Sequence, residues 1–153
     1  MTGVQTCALP ICPVVSLVGG TLTINNGAAV NVAGGSILRV TGNLLELNNG
    51  STLRTLNGPL VNVAGGSVAN ISGALVGFGG TGGNLVSVTN SLCPCTTFSG
   101  IPVALTGGAT GANVTIGPNP IANPGLGTLT TSSGSTAVAV VNGATSKLII
   151  TAP

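Results

Sequence analysis

The sequence predicts an all-β fold, a right-handed parallel β-helix, and three observations predict it. Glycine, often paired, recurs every seven or eight residues between Leu17 and Val88. The pieces between glycines, such as Thr21-Leu22-Thr23-Ile24, Val30-Asn31-Val32 and Leu60-Val61-Asn62-Val63, are short strands. Like residues also coincide at long fixed offsets, the mark of a stacked repeat fold.

Two offsets compete. Residues 26–45 align without gaps on residues 57–76, an offset of 31 with VNVAGGS identical. A shift of 23 instead brings Leu22, Leu45 and Val68 together, along with Leu17, Val40, Val63 and Val86, and aligns Gly27, Gly50 and Gly73 at a turn. The second register stacks apolar on apolar, so the expectation is about 23 residues and three short strands per coil. Coils about 4.8 Å apart then pair their backbone N–H and C=O groups with the coils above and below.

Alternation assigns the faces. Val30 and Val32 point inward around Asn31, Leu38 and Val40 around Arg39, and Leu45 and Leu47 around Glu46. Glycine and Asn-Gly at the corners supply positive φ. An antiparallel meander is the competing fold, because Asn26-Gly27, Asn49-Gly50, Asn57-Gly58 and Asn142-Gly143 are also good hairpin turns. The short strands and the long-range register favour the helix.

Residues 1–11, MTGVQTCALPI, belong to no repeat. Thr2 to Ile11 match a translated sequencing-library adapter, so residues 1–12 are read as a non-native segment and set aside from fold reasoning. Cys7 and Cys12 are therefore not read as ligands or disulfide partners. The remainder, 13–153, is expected to be one domain, regular to about residue 90 and looser after it, and an N-terminally truncated fragment. An edge left open by that truncation invites end-to-end self-association.

Composition excludes several functions. The chain has three basic residues (Arg39, Arg54, Lys147), one acid (Glu46) and no Asp, His, Tyr or Trp. At 43% hydrophobic it has enough apolar side chains for a core, so its low charge does not signal disorder. Scattered cations with a net charge of +2 make no nucleic-acid footprint. They do not form a membrane-surface helix either, and no apolar run approaches the roughly 20 residues of a membrane span, so no membrane insertion is expected.

Beyond Phe78, Gly79 to Gly83 make a longer corner and Leu85 to Val88 resume the strand pattern. Ile101–Leu105, Ala112–Ile116, Ala137–Val141 and Lys147–Thr151 read as further strands, the last one closing the end of the helix. The segment from Gly117 to Gly125 has too many prolines for an interior strand.

Candidate chemistry is sparse. Cys93-Pro94-Cys95 lacks the further ligands of a metal site and the spacing of a redox motif. An intraloop disulfide between Cys93 and Cys95 and two small loop residues are the competing readings. Glu46 stands alone where sugar hydrolysis uses two carboxyl groups, so it is expected to be an outward, solvated charge weakly balanced by Arg39 and Arg54. A Ser nucleophile would have no histidine partner. No catalytic residue, cofactor or metal is assigned.

The phrases GGTLTINNGAAVNVAGGS and NNGSTL resemble the β-helical repeats of bacterial surface proteins, filamentous-haemagglutinin-type adhesins and autotransporter passenger domains. The resemblance covers residues 14–90 well and the remainder loosely, as a style of repeat. It implies a secreted or cell-surface location, a stalk or fibre role, and a host-cell, matrix or glycan ligand. The expectation is a structural or adhesive segment that is not an enzyme. The alternatives are a fragment of a polysaccharide-active β-helix enzyme whose catalytic residues are missing, and an ice- or crystal-binding solenoid. The last requires aligned Thr-x-Thr ranks, for which Thr21-Leu22-Thr23 and Thr128-Leu129-Thr130 look isolated.

Overall fold

The computed structural model describes residues 13–81, 83–88, 113–116, 121–122, 124–131, 139–142 and 147–150. Ten strands carry the regular part: β1 (Val15–Val18), β2 (Thr21–Ile24), β3 (Val30–Val32), β4 (Ile37–Val40), β5 (Leu45–Asn48), β6 (Thr52–Thr55), β7 (Val61–Ala64), β8 (Val68–Ile71), β9 (Val76–Gly79) and β10 (Asn84–Val88). Five more follow: β11 (Asn113–Ile116), β12 (Ile121–Ala122), β13 (Gly127–Thr131), β14 (Ala139–Asn142) and β15 (Lys147–Ile150), with a 3-10 turn at Pro124–Leu126.

The strands form four stacked parallel sheets in the orders β1-β5-β9-β12, β2-β6-β10-β13, β3-β7-β14 and β4-β8-β15-β11. All the pairings between these strands are parallel, which replaces the antiparallel meander with a solenoid-like stack. Over the first ten strands, consecutive strands enter consecutive sheets, and the fifth returns to lie on the first.

The expected coil of 23 residues and three strands is corrected by the register. Thr21 lies beside Thr52, Val30 beside Val61, Ile37 beside Val68 and Leu45 beside Val76, each a step of 31 residues, with four strands to the repeat. Both offsets match apolar to apolar, because nearly every strand reads apolar-polar-apolar; that criterion is degenerate. The corners decide. Gly58 and Gly73 approach Gly27 and Gly42 so closely that a Cβ on either would run into the backbone below. Gly34-Gly35 and Gly65-Gly66 turn the same corner in successive repeats with φ of 69° and 75°, then 64° and 78°, values that favour glycine.

Polar side chains also belong to this register. Asn62 donates through Nδ2 to Asn31 Oδ1 at 2.7 Å, and the Ser36 N–H donates to Ser67 Oγ at 3.1 Å. The longer corner at Gly79–Gly83 shows as a step of 33 residues from Leu53 to Val86.

The core lies between the sheets. Leu47, Leu53, Val63, Ile71, Phe78, Val86, Leu148 and Ile150 are buried, and the corner residues Leu44, Leu60 and Leu75 join them. The alternation holds: Val30 and Val32 are buried around exposed Asn31, and Leu45 and Leu47 around half-buried Glu46. One polar atom breaks the pattern. Thr55 is fully buried between Ile24 and Val88, and its Oγ1 has no hydrogen-bond partner.

The C-terminal part departs from the expectation in one respect. The last strand, β15, does not close the end of its sheet but lies between β8 and β11. Leu148 and Ile150 continue the buried row of Ala69 and Ile71, and that apolar alternation seats the strand despite Lys147. The proline-rich segment supplies only the two-residue edge strand β12, consistent with missing backbone donors. The expected strand at Ile101–Leu105 lies outside the described residues.

Two substitutions test this packing by urea denaturation. Gly73→Ala is expected to destabilise by about 1–3 kcal/mol through overpacking, whereas Gly83→Ala, where a Cβ meets nothing within 4 Å, stays within about 0.5 kcal/mol. Equal effects would contradict the coil contact. Thr55→Val removes the unpaired hydroxyl and is expected to raise stability by about 1 kcal/mol; a lowered midpoint would show the hydroxyl to be satisfied.

Candidate functional surface

Among the described residues there is no group of three or more His, Cys, Asp or Glu side chains able to hold a metal. No helix among them is long and apolar enough to cross a membrane. The polar chemistry lies on the outward faces and at the corners, and two features stand out.

The first is a polar strip on the sheet β1-β5-β9-β12. Glu46 projects from β5 and is half-buried, more sheltered than the solvated charge the sequence suggests. Asn43 Nδ2 donates to Glu46 Oε2 at 2.7 Å, while Asn43 Oδ1 accepts the Ala74 N–H of the next repeat at 2.8 Å. Gly77 and Gly79 occupy the outward positions of β9 and leave room for the side chains of Asn43, Glu46 and Asn48; a Cβ on either would strike them. Arg39 and Arg54 stand in other sheets, in β4 and β6. Asn43, four residues after Arg39 in the chain, is the partner that sequence reasoning misses.

Behind the neighbouring corner lies a buried polar staple. Asn84 is 1% exposed and uses both ends of its amide. Its Oδ1 accepts the Ser51 N–H at 3.0 Å, and its Nδ2 donates to the carbonyls of Gly79 at 3.1 Å and Leu126 at 2.8 Å. Ser51 Oγ donates to the Asn48 carbonyl at 2.6 Å. The amide absorbs the backbone groups that the enlarged corner would otherwise strand, as buried polar groups require.

The second feature is the face of β2-β6-β10-β13. Thr21 and Thr23 are exposed on β2; beside them run Thr52 and Arg54, then Leu85 and Ser87. Thr128 and Thr130 take the next register positions beside Leu85 and Ser87. The two Thr-Leu-Thr motifs that look isolated in the chain therefore stand in one sheet, in the same ranks. The 31-residue offset carries Thr21 to Thr52 and is the sequence signal that reveals this.

Cys93 and Cys95, the candidate disulfide, lie outside the described residues, as do Cys7 and Cys12.

Asn84→Leu tests the staple. Leaving the Ser51 N–H without its acceptor and two carbonyls without their donor is expected to cost about 1–3 kcal/mol for each group left unsatisfied, read as a lowered thermal midpoint; an unchanged midpoint would mean that water replaces the amide.

Comparison with protein-family models, with curated proteins and with solved structures returned no match for this chain.

Proposed function

We propose that this chain is a structural or adhesive segment of a secreted or surface-exposed bacterial protein, wound as a right-handed parallel β-helix and without catalytic activity of its own. The right hand follows the strong general preference of parallel strand connections. The observation that carries the functional reading is the division of each strand between its two faces. Inward positions are consumed by a continuous core, while outward ones (Asn31, Asn62, Thr23, Thr52) present uncharged hydrogen-bonding groups repeat after repeat.

Such a surface suits a hydroxyl-rich partner such as a host-cell or matrix glycan, which it would meet by many weak hydrogen bonds. The resemblance to adhesin repeats points the same way. The test is binding of the purified chain to arrays of glycans and matrix proteins, alongside sugar release from polysaccharides. Binding without sugar release supports the reading; release of sugar, abolished by Glu46→Gln, would replace it with the enzyme alternative.

End-to-end self-association belongs to the same reading. Strands β1, β2, β3 and β4 each end their sheets on one side, and Val14, Val18, Leu22 and Ile37 among them are 43%, 54%, 37% and 63% exposed. Open parallel edges with exposed apolar side chains are templates for further strands. Sedimentation is expected to show mass rising with concentration, and the double substitution Leu22→Lys with Ile37→Lys is expected to suppress it. A monomer at every concentration would contradict the association.

A second reading is favoured by the threonine ranks. In a parallel sheet they repeat at about 4.8 Å between strands and about 6.6 Å along each strand, a grid that stiff β-branched side chains hold in place. Ice or another crystalline surface is the matching partner class, although Arg54 interrupts the grid. Thermal hysteresis that is lost on Thr23→Tyr would establish this reading, and its absence would remove it.

A further inference from the structure

The geometry points to Asn49-Gly50 as a site of spontaneous deamidation, a one-way chemical change at the corner between β5 and β6. In this reaction the Gly50 backbone nitrogen bonds to Asn49 Cγ and the side-chain Nδ2 leaves as ammonia, forming a succinimide. Water then opens either carbonyl to give aspartate or isoaspartate. One water enters, one ammonia leaves, and no electrons are exchanged, so nothing beyond solvent is needed.

Three Asn-Gly pairs fall wholly among the described residues, and their surroundings differ. At Asn49 the backbone already sits in the left-handed region with φ 58°, and Gly50 follows at φ 74°. Both residues are exposed, and nothing lies within 4 Å of the Cβ position of Gly50. The Asn49 Oδ1 accepts the Thr81 N–H at 3.1 Å. That donor polarises the carbonyl that must be attacked and leaves the Nδ2, the leaving group, aimed away from it.

The other two pairs are held. At Asn26-Gly27 the attacking nitrogen is engaged, since the Gly27 N–H donates to the Asn57 carbonyl at 3.5 Å, and Asn26 Oδ1 accepts from Asn57 Nδ2 at 3.3 Å. At Asn57-Gly58 the leaving nitrogen donates to the Asn25 carbonyl at 3.0 Å as well as to Asn26 Oδ1. Gly58 is buried and packed against Gly27. The order of reactivity in the folded chain is therefore Asn49, then Asn26, then Asn57.

The change has a local consequence. A chain with a single acidic side chain gains a second carboxyl group, and its net charge falls from +2 to +1. An isoaspartate would also lengthen the backbone at the corner on which Thr81 and Gly80 rest. A long-lived extracellular β-helix would thus carry a slow clock on one corner.

The experiment is incubation of the folded chain in mildly alkaline buffer, with peptide mapping by mass spectrometry and a parallel incubation in denaturant. In the folded chain the Asn49 peptide is expected to convert at least tenfold faster than the Asn57 peptide, with Asn26 between them. In denaturant the three rates are expected to converge to within a few fold. Conversion at Asn57 or Asn26 as fast as at Asn49 in the folded chain would overturn the assignment. So would an Asn49 that stays intact when folded but converts in denaturant.

Discussion

The structure depends on the stacking of one repeat on the next in parallel register. Each sheet is built from strands distant in the chain, and its backbone groups are satisfied only by the repeats above and below. A single coil has no stability of its own. Backbone pairing is indifferent to which residues face each other; side chains must choose the register. Apolar rows such as Leu17, Leu47 and Phe78 contribute most of the burial. They do not discriminate, because many other rows would bury as well.

Discrimination comes from the corners. Gly58 over Gly27 and Gly73 over Gly42 admit no side chain, and the Asn31–Asn62 and Ser36–Ser67 bonds join like positions of adjacent repeats. Shifting the register would separate these groups and push side chains into backbone. Where the corner changes size, as at Gly79–Gly83, a buried amide from Asn84 bridges the extra backbone. A repeat fold tolerates such an insertion because the disturbance stays within one corner.

Much of this is legible in the sequence. The glycine beat marks the corners, and the alternation in Val30-Asn31-Val32 and Leu45-Glu46-Leu47 assigns the faces as observed. The period is what apolar counting misreads, although the gapless match of VNVAGGS displays the true offset. Apolar coincidences outnumber an identity that includes the corner glycines, yet the corner carries more information. The position of β15 is also illegible, since Lys147 reads as an edge residue while Leu148 and Ile150 are buried. The threonine ranks emerge only once the period is known, because Thr21 and Thr128 are far apart in the chain yet share a sheet. The polar strip is hidden for another reason: Glu46 reads as a solitary charge until Gly77 shows where its side chain rests.

The central claim is that four short strands, not three, separate one repeat from the next. Cysteine cross-linking in a chain whose native cysteines are changed to serine tests it directly. Asn31→Cys with Asn62→Cys places two thiols on neighbouring strands at opposed positions, within the Cα separation of about 4.4–6.8 Å that a disulfide needs. Asn31→Cys with Arg54→Cys places them one 23-residue step apart, in different sheets. Rapid oxidation of the first pair and none of the second is the predicted result. Cross-linking of the second pair in the folded monomer, with the first left reduced, would restore the three-strand coil and overturn the four-strand repeat.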